Sequence, residues 1–310
     1  MPSTPPPTVA AWLDQHLSAH PPRAKSLVMT LFGDVIAPHG GGVWLGSLIA
    51  LMAPFGIGDR LVRTSVFRLA EEGWLDAQRA GRRSRYTLDP RSRARFERAY
   101  QRVYAPVRRD WDGQWTLVLA HAASITSEQR ALLRKELQWQ GFGQVAPLVL
   151  AHPAPAPDIL DDVLRRCAVQ DSAYVCAARE PVPSPARGLA DLVAGCWALD
   201  AVAMDYAGFL EEFGALLALV DADALTPHTA FQVRVLTVHA FRRIRLHDPQ
   251  LPFDLLPAGW PGTAAFALCQ RIYRAVQAPA ERHVLATLRE EEPGAPAAAP
   301  HFHERFGGLA

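Results

Sequence analysis

The sequence predicts an α+β fold built from several domains, and three observations support this prediction. The chain has 310 residues, and a domain with a single hydrophobic core is usually smaller than this, so two or three domains are expected. Hydrophobic residues make up 49% of the chain and charged residues 20%, which is enough apolar material for packed cores and too much for disorder. Helical and strand-like periodicities also alternate along the chain.

These changes in periodicity and composition divide the chain into five segments. We expect a flexible proline-rich arm over 1–22, with at most one short helix around Trp12 to Leu17, and a mobile tail over 278–310. The folded segments are predicted to span 23–109, 110–183 and 184–277. No apolar run approaches the roughly 20 residues of a membrane helix, and no charged stretch precedes an apolar one near the N-terminus. We therefore expect a cytoplasmic protein without a membrane partner.

Positive charge is concentrated in one part of the chain. Residues 23–109 contain 16 Lys and Arg and seven Asp and Glu, which leaves 16 basic and 24 acidic residues for the remainder. A basic segment joined to an acidic one indicates a nucleic-acid or other polyanionic partner for the first. The alternative is a basic surface that is merely solvated.

Residues 23–109 begin with three helical patterns. Apolar residues recur at helical intervals from Val28 to Ile36, and Pro38 ends this first helix. A second, shorter helix in "VWLGSLIALMAPFG" is closed by Pro54 and Gly56. Asp59 can then cap a third helix that runs to about Glu72, before Gly73.

The third helix has two distinct faces. Its inner face is apolar and carries Val62, Val66 and Leu69. Its outer face is basic and polar and carries Arg60, Arg63 and Thr64. Phe67 also falls toward the outer face, so we expect a neighbouring element to cover it.

A basic hairpin follows the third helix. "WLDAQ" and "SRYTLD" read as two short strands joined by a turn around Gly81. Three helices and a hairpin predict a winged helix-turn-helix, whose third helix enters the DNA major groove while the hairpin reaches the flanking backbone or minor groove. Arg82, Arg83 and Arg85 would then neutralise phosphates. Alternatively, they keep a strand edge soluble. A helix with Phe96, Tyr100 and Tyr104 at four-residue spacing would lead out of this domain.

The remaining folded segments differ from each other in periodicity. From Trp111 the patterns run strand, helix, strand, helix, strand, with a capping box at Thr126 and Gln129 and an interruption of the second strand at Pro147. This order suggests a ferredoxin-like α+β domain. After "PVPSPARG" come helical stretches over 189–220, 226–246 and 263–276, which predict a helical C-terminal domain.

Several motifs resemble one known family. "LFGD", "WLGSLI", "APFG", "VRTSVFRL", "EGWL" and "GRRSRY" stand in the family's order, and "DGQW" to "GFG" and "DPQLPFDLLPAGWPG" resemble its middle and C-terminal domains. On these residues, roughly 23–277, the chain resembles the PaaX-like repressors, which control phenylacetic acid degradation operons in bacteria. The resemblance implies a non-enzymatic homodimer that binds a palindromic double-stranded operator and releases it when phenylacetyl-CoA binds.

The resemblance also implies site residues. Arg60, Arg63, Thr64 and Ser65 are expected to contact DNA bases and the adjacent DNA backbone, and Arg68 is a further candidate for a phosphate contact. Arg82, Arg83 and Arg85 are expected on the wing, the hairpin that follows the third helix. An aryl-CoA effector needs arginines for its phosphates and an apolar, partly aromatic slot for its ring, expected between the middle and C-terminal domains. The candidates are Arg108, Arg109, Trp197, Arg234, His239, Arg242, Arg243 and Trp260. For each, the alternative is a core aromatic or a solvated helix end.

Two other functions stay open at the level of sequence. The ferredoxin-like pattern resembles small CRISPR-associated nucleases, but these need a metal-binding carboxylate at the end of the first strand, where this chain has His121. A DNA-binding architectural protein without an effector is the other alternative.

No catalytic residue, cofactor or metal site is predicted. Ser172 and Ser184 lack a GxSxG elbow, the histidines lack HExxH spacing, and "GGG" at 40–42 lacks the ending of a phosphate loop. The cysteines show no CxxC spacing and read as buried thiols in a reducing compartment; they are Cys167, Cys176, Cys196 and Cys269.

Overall fold

The computed structural model describes residues 8–106, 111–153, 155, 159–179 and 188–309. Within these ranges helices and strands both occur, as the predicted α+β class requires. The α-helices are α1 (Val9–Ala19), α2 (Ala24–Leu31), α3 (Leu45–Met52), α4 (Asp59–Glu71), α5 (Arg93–Tyr104), α6 (Ser127–Trp139), α7 (Ile159–Arg166), α8 (Leu189–Cys196), α9 (Leu199–Ala222), α10 (Pro227–His247), α11 (Gly262–Glu291) and α12 (Pro300–His303).

The strands form two antiparallel sheets. They are β1 (Gly42–Trp44), β2 (Leu75–Ala80), β3 (Arg83–Leu88), β4 (Gln114–Ala120), β5 (Gly143–Ala146), β6 (Val149–His152) and β7 (Ala173–Arg179). One sheet has the order β1-β3-β2 and the other the order β5-β6-β4-β7. Across the described residues no single helix is long and apolar enough to cross a membrane. Two pairs of consecutive helices, each pair bent at a short break, reach the required length and apolar composition only when the two helices are taken together.

The chain divides into two compact units. Unit 1 comprises Met1–Pro106, Gly208–Arg243 and Ala264–Ala310, and unit 2 comprises Val107–Ala207 and Ile244–Thr263. These units do not coincide with the predicted segments, because the predicted helical segment 184–277 is shared between them. Contacts across more than one hundred residues of sequence place most of α10 and α11 in the same unit as α2 to α5.

The predicted helix and hairpin patterns of unit 1 recur in the structure with small shifts. Helix α4 buries Val62, Val66 and Leu69, as predicted, but its N-cap is Gly58, and Asp59 is its first residue. Gly81 adopts a positive φ of 62° in the turn between β2 and β3, a conformation that glycine tolerates well. The short strand β1 was not predicted. Phe67 is 60% exposed, so the expected covering element is absent from the described part of unit 1.

The predicted flexible arm is corrected by helix α1, which packs within unit 1. Thr8 caps the helix through its side-chain oxygen, which accepts a hydrogen bond from the Ala11 amide at 3.2 Å. Val9 and Leu13 are buried, and Trp12 meets the edge of Phe213 with ring centroids 5.4 Å apart. This burial explains why a short segment next to prolines is helical: tertiary packing stabilises a helix too short to persist alone.

The predicted mobile tail is corrected as well. Helix α11 continues past Pro279 to Glu291, well beyond the predicted end at residue 276. After it, Phe302 and Phe306 are buried, and the Gln270 side chain donates a hydrogen bond to the Phe306 carbonyl at 2.6 Å. Isolated aromatic anchors hold this segment, and such anchors leave no periodic pattern in the sequence.

Unit 2 contains a βαββαβ arrangement formed by β4, α6, β5, β6, α7 and β7. The predicted second strand is in fact a hairpin, since the chain reverses at Pro147 between β5 and β6. The capping box of Thr126 and Gln129 is present at the start of α6. Val118, Leu137 and Val163 lie in the core between this sheet and its helices.

Candidate nucleic-acid interface and ligand pocket

Helix α4 presents a solvent-exposed face that contains most of the predicted base-contacting residues. Arg60 is exposed in the first turn, and its guanidinium has no ion-pair or hydrogen-bond partner among the described residues. Arg63 forms an ion pair with Asp59 one turn earlier, with Nε 2.5 Å from Oδ1. The Thr64 hydroxyl donates to the Arg60 carbonyl at 2.9 Å. Arg68 is exposed near the other end of the helix.

Ser65 lies at the border of this exposed face, on the buried side of α4. Its side chain is buried, and its hydroxyl donates to the Leu61 carbonyl at 2.7 Å. A ligand approaching the exposed face would not reach it. Instead, Leu61 and Phe67 are exposed beside the arginines, and the sequence prediction gave neither a role. Exposed apolar side chains on such a helix can contact thymine methyl groups.

The β2–β3 hairpin holds its three predicted arginines in different environments. Arg82 is exposed at the turn, and no partner of its guanidinium occurs in the described part of the chain. Arg83 lies over the Trp44 ring at 4.1 Å and donates from Nη2 to the Glu291 carbonyl at 2.9 Å. Arg85 is half-buried, 3.5 Å from a carboxylate oxygen of Glu292.

The acidic end of α11 therefore lies against the hairpin. Glu291 also accepts a hydrogen bond from the Ser47 amide at 2.7 Å, which fixes it at the start of α3. Arg83 Nη2 also lies 3.5 Å from the Glu291 carboxylate, so a phosphate that binds Arg83 or Arg85 competes with a carboxylate. Arg82 has no such competitor among the described residues. The sequence could not indicate this contact, because more than 200 residues separate Arg83 from Glu291.

A buried ionic network is centred on Asp34 in unit 1. Arg234 donates from Nε to Asp34 Oδ2 at 2.7 Å, and Arg305 donates from Nη1 to Oδ1 at 2.9 Å. The hydroxyls of Tyr104 and Tyr273 also donate to Oδ1, at 2.7 and 3.0 Å. Asp34, Arg234 and Arg305 are fully buried, where unpaired charges would be strongly unfavourable.

Local backbone geometry helps to hold this network. Asp34 lies in a short π-helical turn, Phe32–Ile36, that follows α2. Such a turn departs from the usual i to i−4 bonding, and here main-chain oxygens accept from the arginines. The Asp34 carbonyl accepts from Arg234 Nη2 at 2.8 Å, and the Gly33 carbonyl accepts from Arg305 Nη2 at 3.0 Å.

Arg234 was predicted to bind the effector, and its place in this network contradicts that prediction. Its third nitrogen, Nη1, donates to Glu281, so all three guanidinium nitrogens have partners within unit 1. Burial is the largest single influence on Arg234 and opposes its charge, but Asp34, Tyr273 and Glu281 together outweigh burial and raise the pKa of the guanidinium. The arginine is therefore charged, satisfied and inaccessible to a ligand phosphate.

The Glu281 carboxyl makes the network sensitive to acid. Burial alone would raise its pKa, but the charge of Arg234 and a hydrogen bond with His39 outweigh burial and lower the pKa to about 2. A folded-state pKa below the unfolded value contributes stability that is present above about pH 4.5 and is lost as the pH falls toward 2.

We therefore expect the free energy of unfolding of the Glu281→Gln variant to fall less steeply as the pH is lowered below 4.5. In the unmodified protein, this carboxyl should contribute about 3 kcal/mol to the loss of unfolding free energy between pH 4.5 and 2. Urea unfolding at a series of pH values would measure the difference between the two proteins. Parallel losses of stability in both would contradict the assigned role of Glu281.

The other predicted effector residues of unit 1 differ in exposure. His239 is buried, with Nδ1 2.8 Å from the Thr30 hydroxyl. Burial, followed by the nearby charges of Arg242 and Arg243, lowers its pKa to about 3, so the ring is neutral near pH 7 and unsuited to binding phosphate. Arg242 is half-buried and Arg243 is exposed. Arg108 and Arg109 were also predicted, and both lie outside the described residues.

Unit 2 contains an apolar pocket of about 660 Å³. Trp197 lines it and is held in place by a hydrogen bond from its indole nitrogen to the Gly141 carbonyl at 2.8 Å. Gly143 lies so close to this ring that a Cβ there would come within 2.5 Å of it. The other lining residues include Leu189, Val193, Leu256 and Pro257, together with the acidic Asp200 and Asp254.

The lining of the pocket favours a neutral, apolar group. No Lys, Arg or His is among its described lining residues, and two carboxylates are present, which would repel phosphates. Trp260, the other predicted tryptophan, instead meets the edge of Tyr206 with ring centroids 5.9 Å apart. Of the two tryptophans predicted for an aromatic slot, Trp197 is among the described lining residues of this pocket and Trp260 is not.

Comparison with known proteins gives three consecutive family matches. Residues 23–92 match the model of "PaaX-like protein", residues 108–190 that of "PaaX protein central Cas2-like domain", and residues 197–286 that of "PaaX-like protein C-terminal domain". The "Transcriptional repressor PaaX" of Escherichia coli (strain K12) is 38% identical over 299 residues, covering 95% of this chain and 94% of that protein. The "Uncharacterized protein Rv0674 from Mycobacterium tuberculosis" is 28% identical, with a TM-score of 0.44, covering 78% of this chain and 89% of that one.

Proposed function

Because the chain belongs to the PaaX-like family, we propose that it is a transcriptional repressor of the phenylacetic acid pathway that binds operator DNA. The name of the similar Escherichia coli protein supports a regulatory role and not an enzymatic one. The observation that carries the proposal is the exposed basic face of α4, followed directly by the arginine-bearing β2–β3 hairpin.

The first part of unit 1 supports a winged helix-turn-helix. Helices α2, α3 and α4 precede the hairpin, and β1 completes a small sheet with it. In this architecture α4 enters the major groove with Arg60 and Arg63 near base edges, while Arg82 contacts a flanking phosphate. Each arginine that neutralises a phosphate releases condensed counterions, so binding should weaken steeply with salt.

The βαββαβ arrangement of unit 2 supports a ferredoxin-like module that serves sensing or dimerisation. Its sheet order, β5-β6-β4-β7, is antiparallel throughout. A nuclease of similar fold would need a carboxylate at the end of β4, where His121 instead lies 3.1 Å from the Ser124 hydroxyl. This difference favours the repressor over a metal-dependent nuclease.

The effector of this repressor is phenylacetyl-CoA or a related aryl-CoA, and its ring occupies the pocket beside Trp197. The apolar lining and the cavity volume of about 660 Å³ support a ring-sized, uncharged occupant. Because Asp200 and Asp254 line the same pocket, the CoA phosphates bind outside it. Arg108 and Arg109 stay candidates for those phosphates, and the sequence-based prediction for Arg242 and Arg243 is independent of this pocket.

Release of the operator follows from a change in the spacing of the two DNA-binding helices in a homodimer. Half-sites about one helical turn apart, or a multiple of it, then cannot be engaged together. A ligand-bound structure with unchanged spacing between the two α4 helices would contradict this mechanism. It would leave the repressor assignment intact.

Fluorescence anisotropy tests the proposal directly. The full-length protein is titrated onto the inverted repeat upstream of its operon, and the complex is then titrated with phenylacetyl-CoA, phenylacetate or CoA. We expect specific binding that only the thioester reverses. Tight binding indifferent to all three compounds would favour an architectural protein or another acyl-CoA, and the absence of specific binding would contradict the repressor.

Two matched variants of α8 test the pocket in the same assay. Ala194 lines the pocket and is exposed, so Ala194→Trp should fill the cavity without disturbing the core. Operator affinity should be retained while the response to phenylacetyl-CoA is lost. Gly195→Trp adds the same side chain to the neighbouring position, outside the described lining, and should respond normally. Equal responses in both variants would exclude this pocket as the aryl site.

A further inference from the structure

Helices α1 and α9 bring two histidines and a glutamate together within unit 1. His16 lies in the last turn of α1, His20 is the C-cap residue that follows this helix, and Glu212 lies on α9. The Nδ1 atoms of the two histidines lie 2.6 and 3.5 Å from the same oxygen, Glu212 Oε1. One nitrogen or oxygen from each of the three residues lies within 4.8 Å of the others.

Neighbouring rings hold His16 in a defined orientation. Trp12 stacks on its imidazole with centroids 4.7 Å apart and an interplanar angle of 12°, and Phe213 meets it edge-on at 5.6 Å. His16 is 9% exposed, whereas the side chains of His20 and Glu212 are 64% and 35% exposed. The cluster therefore combines one fixed ligand position with an open side toward solvent.

We propose that His16, His20 and Glu212 bind a divalent transition-metal ion, with Zn²⁺ as the best match. Two imidazole nitrogens and one carboxylate oxygen form a ligand set that suits Zn²⁺, with water in the remaining position. Tetrahedral Zn²⁺ with bonds of this kind places its ligand atoms about 3.3 Å apart. His16 Nδ1 is too close to Glu212 Oε1 at 2.6 Å, and His20 Nδ1 is near this spacing at 3.5 Å from the same oxygen. All three ligand atoms lie within 4.8 Å of one another, so side-chain rotations can bring them to the spacing that the ion requires.

The bound ion would connect α1 to α9. Without metal, the connection through these residues depends mainly on the hydrogen bond between His16 and Glu212. An ion adds bonds to both histidines and resists separation of the two helices, so α1 becomes a metal-stabilised part of unit 1. The sequence predicted no metal site, because almost two hundred residues separate Glu212 from the histidines.

Metal titration of the full-length, chelator-treated protein tests this site. Calorimetry with ZnCl₂ measures affinity and stoichiometry, and CoCl₂ reports the coordination geometry through its visible absorption. We expect one equivalent of either ion per chain, a cobalt spectrum typical of four-coordinate sites, and a thermal midpoint that rises with Zn²⁺.

Variants separate metal binding from simple hydrogen bonding. His20→Ala removes an exposed ligand and leaves the His16–Glu212 hydrogen bond in place, and Glu212→Gln keeps the side-chain shape without the charge. Both should lower Zn²⁺ affinity more than about tenfold and abolish the rise in thermal midpoint. His121→Ala removes an exposed histidine of unit 2 and should bind normally. Affinities unaffected by His20→Ala, or the absence of stoichiometric binding, would overturn the proposal.

Discussion

Replacing Asp34 with asparagine is expected to lower the free energy of unfolding by about 3 to 5 kcal/mol, as removal of one partner from a buried ion pair typically does. Asparagine keeps the size of the side chain but not its charge, so Arg234 and Arg305 would be left buried with an uncompensated positive charge. Native domains are stable by only about 5 to 15 kcal/mol, so this loss is a large share of the total. Urea unfolding measures it.

Asp59→Asn provides the matched control for this prediction. Asp59 also forms an ion pair with an arginine, but both side chains are more than half exposed. Exposed pairs contribute about 0 to 1 kcal/mol, so this variant should unfold almost as the unmodified protein does. If the two variants lost similar amounts of stability, burial of the Asp34 network could not be the reason why loss of the Asp34 charge is costly.

Replacing Arg60 with alanine is expected to lower operator affinity by about 5- to 150-fold, corresponding to the 1 to 3 kcal/mol of a good base contact. Arg60 is exposed in the first turn of α4, and its guanidinium has no partner within the described residues. Its whole hydrogen-bonding capacity is therefore available to DNA. Because a base contact carries sequence information, the variant should also discriminate less against altered half-sites.

Arg82→Ala should have a different signature in the same anisotropy assay. Arg82 is exposed at the hairpin turn, and a phosphate contact there would weaken binding to all sequences equally and lower the salt slope by about one unit. Arg130→Ala, on the exposed side of α6 in unit 2, removes the same charge elsewhere and should bind the operator normally. Identical effects of the Arg60 and Arg82 variants on discrimination would contradict the assignment of α4 to the major groove.

Local patterns in the sequence predicted the elements on which the proposed DNA interface depends. Val62, Val66 and Leu69 recur at the helical period, and the buried face of α4 is where that period places it. The turn at Gly81 and the capping box of Thr126 were predicted for the same reason, since the residues involved are neighbours in the chain. Ser65 was misplaced because it lies at the border between the two faces, and it is buried.

The ends of the chain show where local patterns fail. Helix α1 and the segment around Phe302 have weak periodicity of their own, and their order comes from distant partners such as Phe213 and Tyr273. The last predicted helix was expected to end at about residue 276, yet α11 continues through Pro279, and the next residue, Ala280, is fully buried.

The sequence by itself determined the α+β class, the basic character of residues 23–109, the helix and hairpin that carry the arginines, and the resemblance to one family. Tertiary structure alone decided which of these residues are accessible. In the folded protein Arg234 is buried and donates a hydrogen bond to Asp34, Arg85 lies next to Glu292, and Glu212 contacts His16. Local structure depends on near neighbours in the chain, whereas the burial and pairing of a charge depend on residues about 200 positions away, which no local pattern records.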